Sequence, residues 1–144
     1  VFQDNPLLGV GWQRSGRAEV FEQYLADARK RFPDEAEEAF PSSEQELGVQ
    51  SLYVQMLADA GVIGLALLLA IALGGLVLGW RTAAYASSPW AGGAGLAVMC
   101  ALLTVAGEWA VVGIVPGIPI DAATCLLLGL AAAGAATVEE ETGG

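Results

Sequence analysis

The chain has no histidine, two cysteines and only six lysines and arginines among 144 residues. Each scarcity excludes something. A metal centre of the usual kind needs several His or Cys side chains at ligand spacing, and Cys100 and Cys125 alone do not make one. Both cysteines fall inside apolar runs, where a thiol is expected to serve as a small packing residue. Six basic residues against sixteen acidic ones give a net charge of −10. Without clustered cations to neutralise phosphates, nucleic acid is excluded as a partner, and docking onto anionic lipid is disfavoured. There is no phosphate-cradling glycine-rich loop and no nucleophile elbow. No metal and no cofactor are expected.

Charge is also missing from one long stretch. Gly61 to Trp80 contains no ionisable side chain, in a chain that is 55% hydrophobic. A bilayer core about 30 Å thick needs roughly 20 such residues to be crossed by a helix. The charge lies elsewhere: Arg14, Arg17, Arg29, Lys30 and Arg31 are five of the six basic residues, and ten of the sixteen acids also precede residue 51. The expected fold is an all-α membrane protein, with an acidic extracytoplasmic loop carrying an amphipathic helix, followed by three transmembrane helices. The opening phrase, which starts at Val1 and follows no leader, is read as the middle of a longer protein with further transmembrane helices upstream.

Residues 1–50 form the loop. Asn5-Pro6 favours a turn, and Gly9 and Gly11 permit unusual backbone angles around Val10. From about 17 to 32, Val20, Phe21, Tyr24, Leu25 and Ala28 make one apolar stripe, so a helix is expected there. Glu19 and Glu22 near its start and Arg29, Lys30 and Arg31 near its end suit the helix dipole. Pro33 stops it. Because the polar face is so acidic, packing on protein is expected rather than on a membrane surface. Residues 34–48 are acidic and broken by Pro41, which predicts one short helix and then a mobile, solvated stretch.

A helix entering the membrane and the first span are expected over 51–80, a second span over 91–115 and a third over 121–138. Trp80, beside Arg81, and Trp90 mark a membrane interface. Gly75 and Gly79 form a small-residue packing pair. Asp121 is expected as a helix N-cap. Residues 139–144 are expected as a frayed cytoplasmic tail. Among the short connections only the one at Arg81 is basic, which places it inside and the acidic loop outside.

With that topology, Arg14, Arg17, Gln50, Tyr53 and Glu108 gather at the outer face. Two arginines three apart can hold one phosphate or pyrophosphate, or they can pair with Glu19 or Glu22; both readings stand. Glu108 is an ionisable group late in a span, which marks a pocket or a pair, or it snorkels to the interface beside Trp109. Tyr53 is an interfacial anchor or a site residue.

Two phrases go further. Asn5 to Trp12 reads NPLLGVGW, and after a loop of about forty residues Gln50 to Ala70 reads QSLYVQMLADAGVIGLALLLA. In this order, and leading into a span, they resemble the O-antigen ligase and polymerase family of membrane glycosyltransferases. There an N-P-L-x-G-x-G phrase opens the large periplasmic loop, which closes on a His-containing phrase followed by L-A-E-x-G-x-x-G. Asn5, Pro6, Leu7, Gly9 and Gly11 match the first phrase. Ser51, Tyr53, Gln55, Leu57, Ala58, Gly61 and Gly64 match the second, with Asp59 in place of Glu. The resemblance covers residues 1 to about 75.

It implies transfer of a glycan from an undecaprenyl-pyrophosphate carrier to an acceptor sugar at the outer leaflet of a bacterial inner membrane. Arg14 and Arg17 would contact the pyrophosphate, and Gln50 and Tyr53 would be the catalytic residues at the acceptor. Glu108, which the resemblance does not reach, is a candidate substrate-binding residue as an ionisable group at membrane depth. The implied partners are the polyprenyl-linked glycan, membrane lipid and the upstream spans. One departure matters. Gln50 stands where the family has His, and an amide cannot act as a general base, a role typically worth ~10²–10⁴-fold in rate. The alternative reading is therefore a transporter-like or catalytically inactive member.

Overall fold

The computed structural model describes residues 2, 4–40, 42, 49–113 and 118–143. The described residues form five α-helices and one short 3-10 turn, with no strand among them: α1 (Ala18–Arg31), α2 (Leu52–Asp59), α3 (Gly61–Tyr85), α4 (Pro89–Glu108) and α5 (Ile118–Gly143), with the 3-10 turn at Glu37–Ala39. Three of the helices are long and apolar enough to cross a bilayer: Gly61–Tyr85, Pro89–Glu108 and Asp121–Glu140. This is an all-helical membrane protein. The chain divides into two compact units. One is Val1–Leu67 with Trp109–Val115, and the other is Leu68–Glu108 with Pro116–Gly144.

In the first unit, α1 buries Val20 and Phe21 from its apolar stripe. Its last turn carries Arg29, Lys30 and Arg31, and it ends at Phe32, one residue before Pro33. The Arg29 guanidinium lies 5.9 Å from the centre of the Phe40 ring, within cation–π reach. At the other side of α1, the Tyr24 hydroxyl donates to Asp4 Oδ2 at 2.7 Å, which ties the helix to the start of the loop. The stretch expected to be mobile after the short helix falls largely on residues 43–48, outside the described residues.

The helix expected over 51–80 is two helices. The chain breaks after α2, at Ala60 and Gly61, and α3 then runs on to Tyr85. Gly61 has φ +66°, in the left-handed region, and a Cβ there would collide with the Leu7 carbonyl group. Only glycine meets both demands at low cost. The second span is shorter than its apolar run: α4 stops at Glu108, and a turn at Trp109–Val111 follows. The physical reason is competition for backbone groups, because the Trp109 and Val112 carbonyls accept the Leu52 N–H at 2.8 and 3.2 Å.

The second unit holds the rest of α3 with α4 and α5. Gly79 and Gly95 bring α3 and α4 into backbone contact, and a Cβ on Gly95 would lie 2.9 Å from the Gly79 carbonyl oxygen. Gly75 faces Leu102 and Leu128, so both members of the small-residue pair sit at helix contacts. Arg81 near the end of α3 pairs with Glu139 near the end of α5 at 2.8 Å, which sets those two ends side by side. The tail is thus not frayed at its start: α5 continues through Glu139 and Glu140. Asp121 lies within the first turn of α5 rather than at its N-cap, so its charge still suits the dipole. Cys100 and Cys125 are exposed on α4 and α5 rather than packed between helices.

Candidate functional site

The break between α2 and α3 leaves orphan carbonyls at the end of one helix and orphan N–H groups at the start of the next. The loop phrase Asn5–Gly11 crosses this break and supplies two partners to each set. The Pro6 and Leu7 carbonyls accept the Val62 and Ile63 N–H groups at 2.9 and 3.4 Å. Val10 and Gly11 donate their N–H groups to the Ala58 and Asp59 carbonyls at 3.0 and 2.8 Å. Gly9, at φ +64°, lies so close to the Asp59 carbonyl group that no side chain fits there. The glycines of both phrases therefore allow one close backbone contact.

Asp59 completes the contact with its side chain. It has 0% exposure, and its Oδ2 and Oδ1 accept the Gln13 and Ser15 N–H groups at 3.0 and 2.9 Å. Gln13 takes φ +53°, unusual for a residue with a Cβ. Arg14 lies between these two bonded residues and its side chain is exposed. The next turn follows from backbone bonds: the Gly11 carbonyl accepts from Arg14, and the Arg14 carbonyl accepts from Arg17, both at 3.1 Å. Arg17 is the N-cap residue of α1 and is also exposed. Among the described residues neither guanidinium pairs with Glu19 or Glu22; the ion pairs there are Lys30–Asp27 and Arg81–Glu139. Ser15 Oγ is buried and has no hydrogen-bond partner among the described residues.

The other end of α2 is held separately. Ser51 Oγ donates to the Trp109 carbonyl at 3.4 Å, and the Tyr53 ring meets the Trp109 indole edge-on, with centroids 6.2 Å apart. Gln50 precedes the helix and is exposed. Six residues separate Tyr53 from Asp59, a rise of about 9 Å along α2. The arginines are thus anchored at one end of a short helix and Gln50 and Tyr53 lie at its other end. Glu108 is the exposed last residue of α4 and belongs to the other unit.

Among the described residues no three of His, Cys, Asp and Glu come together as a metal site would require. An open groove of about 520 Å³ lies at the α3–α4 turn, lined by Trp80, Ala83, Ser87, Pro89, Gly92 and Leu96 among others. It has no ionisable lining residue and none of the candidate site residues Arg14, Arg17, Gln50, Tyr53 and Glu108. Sequence reasoning passed over Asp59 as a site-forming residue. The available signal was a lone carboxylate two residues before a charge-free spanning run, a costly place for a charge. Searches against protein-family models, curated proteins and solved structures give no match to this chain.

Proposed function

We propose that this chain belongs to a membrane glycosyltransferase, similar to O-antigen ligases and polymerases, which moves a glycan from a polyprenyl-pyrophosphate carrier to an acceptor. The observation that carries the reading is the docking of the two phrases on which the resemblance rests. They lie far apart in the chain, yet the backbone of one caps both helix ends of the other. That docking sets Arg14 and Arg17 near the start of the first long apolar helix, where a lipid-borne pyrophosphate would lie.

In this reading the acidic loop is extracytoplasmic, the membrane is a bacterial inner membrane, and further spans enclose the site. The acceptor hydroxyl oxygen forms a bond to the anomeric carbon as the bond from that carbon to the pyrophosphate oxygen breaks. Negative charge grows on the departing pyrophosphate, and a guanidinium placed there stabilises it. Gln50 orients the hydroxyl by hydrogen bonding and takes no proton, which passes to water or to the departing phosphate. Tyr53, held edge-on against Trp109, shapes the acceptor end.

One observation favours a second reading. Transporters place broken helices at their binding sites, and α2–α3 is a broken helix. In transporters the freed backbone groups meet the cargo, whereas here the Pro6, Leu7, Val10 and Gly11 backbone groups occupy them. The transferase is therefore preferred. The deciding experiment extracts polyprenyl-linked glycans from cells with and without the intact gene. Build-up of carrier-linked glycan on deletion is expected. Unchanged carrier pools would reject the transferase in favour of transport or an inactive copy.

A further inference from the structure

Asp59 is a carboxylate without exposed surface, two residues before a helix able to span a membrane. Burying a charge there is costly unless hydrogen bonds replace the lost water. The simplest use would be to cap α3, since acids suit helix starts. The geometry denies this. Two of the N–H groups in the first turn of α3, on Val62 and Ile63, go to the Pro6 and Leu7 carbonyls. Both carboxylate oxygens go instead to the loop, on Gln13 and Ser15.

Those two residues are the immediate neighbours of Arg14. The left-handed Gln13, at φ +53°, turns its N–H toward Oδ2, and a conformation that costs energy persists only where the surroundings hold it. Arg14 is therefore fixed through its backbone on both sides while its side chain stays free to meet a ligand.

We propose that Asp59 is a positioning residue that clamps the chain on either side of Arg14 and so sets where this guanidinium meets a pyrophosphate group. The inference rests on the reading of Arg14 given above. The ligand chemistry is a pyrophosphate, whether lipid-linked or free.

The test uses the intact protein in lipid nanodiscs, with Cys100 and Cys125 replaced by alanine and a nitroxide attached through Gly16→Cys. A side chain at Gly16 meets nothing within 4 Å, so the label is tolerated. Asp59→Ala, Asp59→Asn and Asp59→Glu are compared in label mobility and in affinity for polyprenyl pyrophosphate and for inorganic pyrophosphate. Asp59→Ala should mobilise the label and weaken pyrophosphate binding about tenfold, as expected when a charge-assisted contact is misplaced. Asp59→Asn keeps the shape and one acceptor, so it should fall between and guard against a variant that fails to fold. Asp59→Glu should restore part of both readouts. Arg14→Ala should weaken binding to a similar extent, and adding Asp59→Ala to it should cost little more.

An immobile label in a folded Asp59→Ala variant would overturn the clamp. A mobile label with unchanged pyrophosphate affinity, while Arg14→Ala still weakens binding, would overturn the positioning role. If Arg14→Ala itself leaves binding unchanged, the reading of Arg14 falls and the positioning role with it, although the anchoring of the loop stands. Binding of inorganic pyrophosphate with the same dependence would assign recognition to the headgroup. Dependence seen only with the lipid form would assign it to the carrier, and either result supports the proposal.

Discussion

The carbonyl of Pro6 accepts the N–H of Val62 at 2.9 Å, so the loop supplies the cap of the helix that opens the longest apolar run. The contact depends on Gly61, which is left-handed and touches Leu7. Gly61→Ala should therefore destabilise the protein by at least about 2 kcal/mol, combining the left-handed penalty of an L-residue with the collision. Gly74→Ala, on the same helix and with open space around it, should be neutral or slightly stabilising, by up to about 1 kcal/mol. Thermal unfolding in detergent reads both. Equal effects would mean that the break is not a fixed feature.

Ser15 separates backbone from side chain at the same contact. Its N–H is bonded to Asp59, but its hydroxyl is buried without a partner among the described residues. An unsatisfied buried hydroxyl costs roughly 1–3 kcal/mol. Ser15→Ala keeps the N–H and removes the cost, so it should be neutral or stabilise by about 1 kcal/mol. Clear destabilisation would show that the hydroxyl has a partner in the intact protein.

How much of this was legible in the sequence depends on whether the cause is local. The charge-free run from Gly61 and the apolar runs after Pro89 and Asp121 carry their own signal, so α3, α4 and α5 could be placed from composition alone. The ends moved where distant backbone intervened. The run through Ala58, Asp59 and Ala60 reads as one helix until the Asn5–Gly11 backbone occupies its hydrogen bonds. Likewise α4 stops early because Leu52 draws on the Trp109 and Val112 carbonyls. At the candidate site, Arg14 and Arg17 were legible by spacing. Asp59 was legible only as a carboxylate in a costly place; its role was not, because its partners are backbone N–H groups, one of them 46 positions away, and backbone donors leave no mark in residue type.

The arginines differ in surroundings, and this predicts a split. Arg14 and Arg17 are exposed beside the anchored loop, whereas Arg29 lies over Phe40 in the last turn of α1. Arg14→Ala and Arg17→Ala in the intact protein should each lower glycan transfer about tenfold or more, consistent with loss of a charge-assisted contact. Arg29→Ala should change transfer little. Comparable loss in all three would indicate a general charge effect and reject the pyrophosphate assignment.

Tyr24 offers a pH test of how α1 is held. Its hydrogen bond to Asp4 raises the phenol above its ordinary value of 10.0, with desolvation and the carboxylate's charge adding in the same direction. A group whose pKa is raised on folding contributes stability that is complete below the unfolded value. That contribution is lost as pH rises through the folded one. Attachment of α1 should thus hold to about pH 10 and weaken above it. Ultraviolet titration of the protein against Tyr24→Phe isolates this group, and Asp4→Asn should return its titration toward 10.0. An unshifted Tyr24 would deny the bond in solution.

Gln50 gives the sharpest test of chemistry. It is exposed immediately before α2, at the end held by Trp109, so a ring of similar reach can replace the amide without disturbing a buried contact. If the site transfers glycan and lacks only a base, Gln50→His supplies one. A general base typically contributes ~10²–10⁴-fold when well placed, so even a poorly placed imidazole should raise the rate of transfer at saturating donor. The gain should grow with pH through the imidazole's range near 6.5, because only the neutral ring accepts a proton, whereas the parent protein should show no such step. A folded variant that binds carrier normally, yet shows neither a higher rate nor a new pH step, would mean that the acceptor hydroxyl does not sit at Gln50. The acceptor end would then have to be sought away from α2.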